Sequence, residues 1–341
     1  MQKITDKQHL FDDSTATTIF AEIDAAKKIM LVMHQKPDGD TTGSALGMAH
    51  YLDTINKPHT VFCVDPLPEG LHFLPGKQKV ETGEYHWSPD IFDADLVIVF
   101  DGGDLEYVGV KDYIDQLRAA GKAFRIINID HHATNSNYGD VNLVVRNGSS
   151  TCEIVSGLLE WKGALGKKSS ECLMTGLITD TGHFMNLATT GSSVDTASDL
   201  LKHGVNLADI SKRTMNNRSL ATLRLWGKAL ERLQKTRYGL VYTVVTQADI
   251  AEAGATSEAV EGISNFLNSL DQEHDSRGVL VLTEKNATTV KGSLRTTHPD
   301  MDVSKLAQSF GGGGHKKAAG FQVAGTLTHN IDGSWSINLS R

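Results

Sequence analysis

Short apolar runs alternate with helix-length stretches through the first half of the chain. Ile29–Met33, Val61–Val64, Asp95–Phe100, Phe124–Ile129 and Val141–Val145 have the length and branching of strands. The segments 42–52, 110–120 and 151–160 read as helices between or after them. This alternation predicts an α/β fold with a mostly parallel sheet. Sheets of that kind carry their functional loops beyond the carboxyl ends of the strands. From about Ser192 to Gln234 the apolar positions Leu220, Leu223, Leu225, Trp226, Leu230 and Leu233 suggest a helical connector. Past Tyr238 the pattern changes. A strand over Leu240–Val245, a helix over Ala259–Leu270 and a hairpin of Gly278–Thr283 with Thr288–Arg295 are predicted. A short helix near Val303–Phe310, a four-glycine loop over Gly311–Gly314 and a strand over Ala318–Val323 complete a second, smaller α/β domain. The expected division is 1–190 for the first domain, 191–236 for the connector and 237–341 for the second domain.

The length of 341 residues suits about two domains. With 40% hydrophobic and 22% charged residues, the chain reads as globular, not disordered or collagenous. Its 41 acidic and 33 basic residues give a net charge of −8. That balance argues against long duplex DNA as a partner, which needs a broad basic face, but not against a short nucleotide in a locally positive site. No apolar run approaches the ~18–20 residues of a membrane span, and the N-terminus has no apolar signal region. Cys63, Cys152 and Cys172 are widely spaced, which suggests reduced thiols and a cytoplasmic protein.

Three acidic or histidine clusters follow strands predicted for the first domain. They are His34-Gln-Lys-Pro-Asp38-Gly-Asp40, Asp101-Gly-Gly-Asp104 and Asp130-His131-His132. A fourth site, Asp180, ends an apolar helical stretch. Taken singly, each has an ordinary reading: a solvated turn, a loop, a surface histidine pair, a helix cap. Jointly they do not, because so many carboxylates at one sheet edge would repel each other and resist ionisation. Carboxylates mixed with imidazoles select Mn²⁺, Fe²⁺, Co²⁺ or Zn²⁺, and a pair of ions needs about six to eight ligands. In the second domain, consecutive glycines can bring backbone N–H groups close to an anion. His315 can donate to phosphate, and Arg295 offers a bidentate fork for it.

These residues resemble the DHH phosphoesterase superfamily. Its motifs are similar to His34-xxx-Asp38-x-Asp40, Asp101, Asp130-His131-His132 and Asp180, in that order. Gly311-Gly-Gly-Gly314-His315 followed by Ala318-Ala-Gly320 resembles the glycine-rich motif of the DHHA1 domain. Family II inorganic pyrophosphatases share the first motif but lack such an end. The resemblance implies one metal on His34, Asp38 and Asp101 and a second on Asp40, Asp101, His131 and Asp180, with Asp101 bridging. Two divalent ions are implied, Mn²⁺ first, with Mg²⁺ or Co²⁺ as alternatives. They would acidify a bridging water for attack on phosphorus.

Asp101, Asp130 and His132 are then the catalytic candidates: Asp130 to orient His131, His132 to contact phosphate or protonate the leaving group. Arg295, Gly312, Gly313, Gly314 and His315 are the substrate-binding candidates. The stand-alone pairing of the two domains is similar to hydrolases of short oligoribonucleotides (nanoRNases), many of which also act on 3′-phosphoadenosine 5′-phosphate (pAp). The implied partners are short oligoribonucleotides or adenine nucleotides, with a homodimer compatible with the class. The alternatives are cyclic di-AMP cleavage, an exopolyphosphatase or pyrophosphatase-like hydrolase, and a nucleotide-binding regulator with an inactive centre.

Overall fold

The computed structural model describes residues 10–186, 188–215, 219–260, 262–268 and 276–339. The chain forms two compact units, Met1–Asn217 and Arg218–Arg341.

The first unit contains α1 (Asp13–Ala25), β1 (Ile29–Met33), α2 (Gly39–Thr54), β2 (His59–Phe62), β3 (Val80–Glu81), β4 (Leu96–Phe100), α3 (Leu105–Val108) and α4 (Lys111–Ala119). It continues through β5 (Arg125–Asp130), β6 (Val141–Val144), α5 (Thr151–Trp161), α6 (Lys167–Asp180), α7 (Gly191–Lys202) and α8 (Leu207–Met215). Its strands run in the order β3-β2-β1-β4-β5-β6, and every described pairing is parallel. All of β1 and β4 is buried because both sheet faces are covered. Ile29, Leu31 and Met33 enter the core shared with α1, α2, α5 and α6, whereas Met30 and Val32 enter the opposite core with Ile114 and Leu117 of α4. The strand order reverses between β1 and β4, which makes their carboxyl ends the crevice where such sheets bind ligands.

Two local features of α2 matter, the first a difference from the helix expected over 42–52. Helix α2 starts at Gly39, not near Thr42, so Asp40 lies in its first turn and Asp38 is its N-cap. The Asp38 carboxylate accepts from the N–H groups of Asp40 and Thr41 at 2.9 and 3.1 Å, and a capped helix can begin at that point. Second, α2 is buried nearly end to end and lies antiparallel to α6. Gly39, Gly43 and Gly47, four residues apart, face Thr179, Cys172 with Gly176, and Leu173. A methyl group on Gly43 would stand 2.4 Å from the Cys172 carbonyl oxygen, and one on Gly176 would stand 2.2 Å from Cys152 Sγ. That close approach requires glycine, and it brings the start of α2 beside the end of α6.

The second unit contains α9 (Leu220–Glu231), β7 (Gln234–Lys235), β8 (Leu240–Val245), α10 (Gln247–Ala253), α11 (Ile263–Asn268), β9 (Gly278–Asn286), β10 (Thr289–Arg295), α12 (Val303–Gln308), β11 (Gly313–His315), β12 (Ala318–His329) and β13 (Trp335–Leu339). The strand order is β11-β12-β10-β9-β8-β7, with β13 beside β12. Only β8 and β9 pair in parallel among the described strands. The stretch read as a connector, 191–236, is divided between the units. α7 and α8 pack on α6, while α9 packs on β8 and α10. Of the helix expected over 259–270, residues 263–268 are helical, and positions 269 and 270 lie outside the described residues.

The half-buried Arg232 pairs with buried Asp249 and ties α9 to α10, Arg232 Nη2 donating to Asp249 Oδ1 at 2.8 Å. Burial works against the Asp249 carboxylate, but Arg232 and the Thr246 cap outweigh it and hold its pKa at about 2. Asp249 ionises below its ordinary value, so the stability it adds is complete above about pH 4 and fades as the pH falls toward 2. Asp249→Asn is expected to lower unfolding stability by about 2 kcal/mol at pH 7 and to flatten the wild-type decline between pH 4 and 2. Urea titrations at both pH values check it; an unchanged midpoint would contradict the assigned role.

Candidate metal centre

Strand register alone sets three chemistry-bearing residues side by side. Met33 pairs with Phe100, and Phe100 with Ile129, so His34, Asp101 and Asp130 stand next to one another at the carboxyl edge of β1, β4 and β5. The Thr41 hydroxyl locks this edge: it accepts from the His34 N–H at 3.2 Å and donates to the Phe100 carbonyl at 3.1 Å. Asp101 leaves β4 in the left-handed region, φ 58°, a conformation that aspartate tolerates better than most residues.

The Asp101 carboxylate faces His34 and Asp38 on one side and His131 with its neighbours on the other, where His132 Nδ1 also lies 3.5 Å from Oδ1. Its Oδ2 lies 3.5 Å from His34 Nε2, which is itself 3.7 Å from Asp38 Oδ1. Its Oδ1 lies 3.5 Å from His131 Nε2, which is 3.7 Å from Asp180 Oδ2 and 4.0 Å from Asp40 Oδ2. Ligand atoms of His34, Asp38 and Asp101 fall within 4.8 Å of one another, as do those of Asp40, His131 and Asp180. Asp180 reaches this edge because α6 ends there, and Asp40 because α2 begins there.

Neighbouring groups orient both imidazoles for coordination. His34 Nδ1 is 2.7 Å from the Gln35 carbonyl and His131 Nδ1 is 3.2 Å from the Gly148 carbonyl. Those contacts turn each Nε2 toward the carboxylates, the usual arrangement behind a metal-bound histidine. Asp40 is almost fully buried and accepts from the first N–H groups of α5, Thr151 at 2.7 Å and Cys152 at 2.8 Å. The Thr151 hydroxyl donates to Asp101 Oδ1 at 3.1 Å. Asp130 does not orient the His131 ring, which the Gly148 carbonyl holds. Its Oδ1 instead lies 2.8 Å from His132 Nδ1 and accepts the His131 N–H at 2.8 Å. Both contacts follow from the strand ending at Asp130, whose carboxylate meets the next two residues as the chain turns.

The charge balance favours a cation. Burial raises Asp180 to about 6, with Asp101 and Asp38 adding to the rise and His131 opposing it. Asp180 is also the last residue of α6, where the helix dipole disfavours a carboxylate. Burial, then the charges of Asp101, Asp180 and Asp38, push Asp40 well above the ordinary range. Burial works to lower His34, yet its contacts with Asp101 and Asp38 dominate and lift it to about 11. The contact with Asp130 raises His132 to about 9 against burial. A cluster that retains protons so strongly is one in which divalent cations relieve the repulsion, and its oxygen and imidazole donors suit them.

The chain matches the DHH family, N-terminal domain, over residues 28–177 and the DHHA1 domain over residues 238–332. It is 30% identical over 302 residues to the bifunctional oligoribonuclease and PAP phosphatase NrnA of Thermus thermophilus, covering 87% of this chain and 84% of that protein. The chain belongs to the DHH/DHHA1 phosphoesterase family. NrnA of Bacillus subtilis, also named a bifunctional oligoribonuclease and PAP phosphatase, is 24% identical over 90% of this chain and 93% of its own length. The crystal structure of an exopolyphosphatase-related protein from Bacteroides fragilis superposes with a TM-score of 0.83 at 27% identity, covering 92% of each chain. As a DHH-family protein, the chain is a phosphoric ester hydrolase, and its acidic and histidine cluster can hold metal.

In the DHHA1 region, the four-glycine segment is not wholly a loop. Gly313–His315 form β11, which pairs with β12. Gly312 has a structural duty as well: a Cβ there would meet the Gly320 carbonyl oxygen at 2.2 Å. Arg295 on β10 and His315 on β11 both pair with Ala318, so the two side chains share a sheet face, roughly 10 Å apart at two strand spacings. Arg295 Nη1 donates to the Leu294 carbonyl at 2.9 Å. Lys317 bonds the His298 and Pro299 carbonyls and so is anchored to backbone.

Sequence reasoning passed over Thr41, Thr151 and Asn135, all of which bond directly to the clustered residues. A threonine seven positions beyond His34, or immediately after Ser149-Ser150, carries no chemical signature of its own. It also passed over Tyr107, whose ring centroid lies 5.3 Å from that of His34. Cys63, Cys152 and Cys172 are free and buried, and no described helix is long and apolar enough to cross a membrane.

Proposed function

We propose that the protein hydrolyses short oligoribonucleotides, linear pApA and pAp to mononucleotides, using two divalent ions, Mn²⁺ first among them, in the cytoplasm. His34, Asp38 and Asp101 would hold one ion, and Asp40, Asp101, His131 and Asp180 the other. The observation that carries this reading is the placement of the two Asp101 oxygens, each 3.5 Å from a different histidine Nε2. When bound, such ions supply Lewis acidity to the phosphoryl oxygens and to a water nucleophile. The names of the Thermus and Bacillus relatives support the substrate class.

The remaining work falls to the chain's own side chains. His34 and His131 keep their Nε2 atoms forward through bonds to backbone carbonyls. His132 donates Nδ1–H to Asp130, which leaves Nε2 for a phosphoryl or leaving oxygen, and its side chain is 34% exposed. Arg295, Gly312, Gly313, Gly314 and His315 of the second unit bind the anionic groups of the nucleotide. The shared face of Arg295 and His315 supports that assignment. Arg295→Ala and His315→Ala are each expected to raise KM about tenfold, one charge-assisted hydrogen bond, with metal binding unchanged. A fall in kcat with constant KM would remove them from substrate binding.

The likeness to the exopolyphosphatase-related structure favours a second reading, phosphoanhydride hydrolysis without base recognition. One assay separates the two. Purified protein with Mn²⁺ is given pAp, pApA, a pentaribonucleotide, cyclic di-AMP and polyphosphate, and the products are identified. AMP from pApA and from the short RNA is the expected result. Orthophosphate from polyphosphate alone would overturn it, and cleavage confined to cyclic di-AMP would redirect the substrate class.

A further inference from the structure

A buried polar chain supports the DHH motif from within. Asn135 is 5% exposed. Its Nδ2 donates to Asp130 Oδ2 at 2.6 Å, to the Gly102 carbonyl at 3.1 Å and to Asn128 Oδ1 at 3.3 Å. Its Oδ1 accepts from the Asn137 N–H at 2.7 Å and from Asn128 Nδ2 at 2.9 Å. Asn128, fully buried on β5, also donates to Asn142 Oδ1 at 3.0 Å. Two amide hydrogens shared among three acceptors, and a carbonyl oxygen with both lone pairs used, leave this side chain a single orientation. Gly102 adjoins Asp101, so Asn135 ties the end of β4 to the end of β5.

The far side of the same carboxylate meets His132. Asp130 Oδ1 is 2.8 Å from His132 Nδ1, while Oδ2 is the oxygen that Asn135 grips. The order of contact is therefore Asn135, Asp130, His132, the first two buried and the last partly exposed.

We infer that Asn135 is a positioning residue for phosphoester hydrolysis: through the Asp130 carboxylate it holds the His132 imidazole with Nε2 presented to the substrate. This rests on the reading above of His132 as the substrate-facing member of its motif. Without the Asn135 amide, Asp130 Oδ2 loses a short bond in a dry setting and the carboxylate gains freedom to rotate. The imidazole it anchors then spends less time in the reactive orientation. No group assigned to hold metal is removed, and the His131 ring is held by the Gly148 carbonyl and not by Asp130, so the loss is expected in kcat and not in metal affinity.

The test measures kcat and KM for pApA in Mn²⁺, together with bound Mn²⁺. The proteins are wild type, Asn135→Ala, His132→Gln and the double variant. His132→Gln is expected to lower kcat about 100-fold. Asn135→Ala is expected to lower kcat about 10-fold or more, with KM and bound Mn²⁺ close to wild type. The double variant is expected to be no slower than His132→Gln alone, because both act through one imidazole. Asn135→Ala also strips a partner from buried Asn128. Asn135→Ser, one bond too short to reach Asp130 Oδ2 but leaving a hydroxyl in the buried site, therefore carries the same comparison in both backgrounds if the alanine variant does not fold. Losses that multiply in the double variant, or an unchanged kcat in Asn135→Ala and Asn135→Ser, overturn the inference. A His132→Gln protein with wild-type kcat instead removes the reading of His132 on which it rests.

Discussion

Asp101→Asn is expected to reduce turnover of pApA about 10³-fold and to weaken Mn²⁺ binding by at least 100-fold. Changes to groups that merely support a metal ligand cost about 10- to 100-fold in metal affinity or activity, and Asp101 faces both donor groups directly. Asparagine is the informative substitution. It preserves the shape of the side chain and tolerates the φ of 58° that alanine would strain. What it removes is the negative charge and one of the two equivalent oxygens. Thr151 Oγ1, which donates to Oδ1 in the wild type, can still meet an amide oxygen there. The measurement pairs single-turnover hydrolysis with Mn²⁺ titration by calorimetry, and thermal unfolding verifies that the variant is folded. Near-normal turnover at full Mn²⁺ occupancy would eliminate Asp101 as a bridge.

The second large effect concerns a residue with no functional group of its own, one turn along α2 from Asp40. Gly43→Ala is expected to destabilise the protein by about 3 kcal/mol, the upper range for forcing one extra carbon into a packed core. The added methyl would meet the Cys172 carbonyl at 2.4 Å and Cys152 Sγ at 2.8 Å. A backbone oxygen cannot swing aside as a side chain can, so α2 and α6 must part. Parting them draws Asp180 away from Asp40 and His131, so weaker Mn²⁺ binding is expected to accompany the loss of stability. Gly191→Ala is the control: it lies at the start of α7 with open space where a Cβ would sit, and a change within about 0.5 kcal/mol is expected. Denaturant midpoints for both variants decide the matter. Equal midpoints would mean that the helices can separate at no cost.

The strands were legible because both faces of the parallel sheet are buried. A strand such as Leu96–Phe100 must then be apolar at every position, and five consecutive apolar residues are conspicuous. Helix α2 was harder to bound. Its first turn, Gly-Asp-Thr-Thr, has poor helix formers, and the Asp38 cap together with burial against α6 overrides that local preference. The two-residue strand β3 and the terminal strand β13 escaped notice. The first is shorter than any periodicity can register, and the second depends on pairing with β12. The segment Gly311–Gly314 read as a loop because four glycines have no side-chain pattern, yet part of it pairs as β11.

For the site, sequence by itself singled out the acidic and histidine residues that the fold gathers at one edge. The three clusters directly follow strands, and strands of a parallel sheet all end on one edge, so their gathering was a consequence of topology. Asp180 is different. It lies on α6, and nothing in its local sequence says which side of the sheet that helix will take. The glycines of α2 and Gly176 of α6 decide it, by allowing a helix approach that any side chain would block. Tertiary structure alone also decided the supporting bonds: the Gly148 carbonyl on His131, the Thr151 hydroxyl on Asp101 and the Asn135 amide on Asp130. Each is a common group made specific only by its position. A carboxylate or imidazole carries its chemistry with it, whereas a threonine, an asparagine or a carbonyl acquires a role only from what the fold sets beside it.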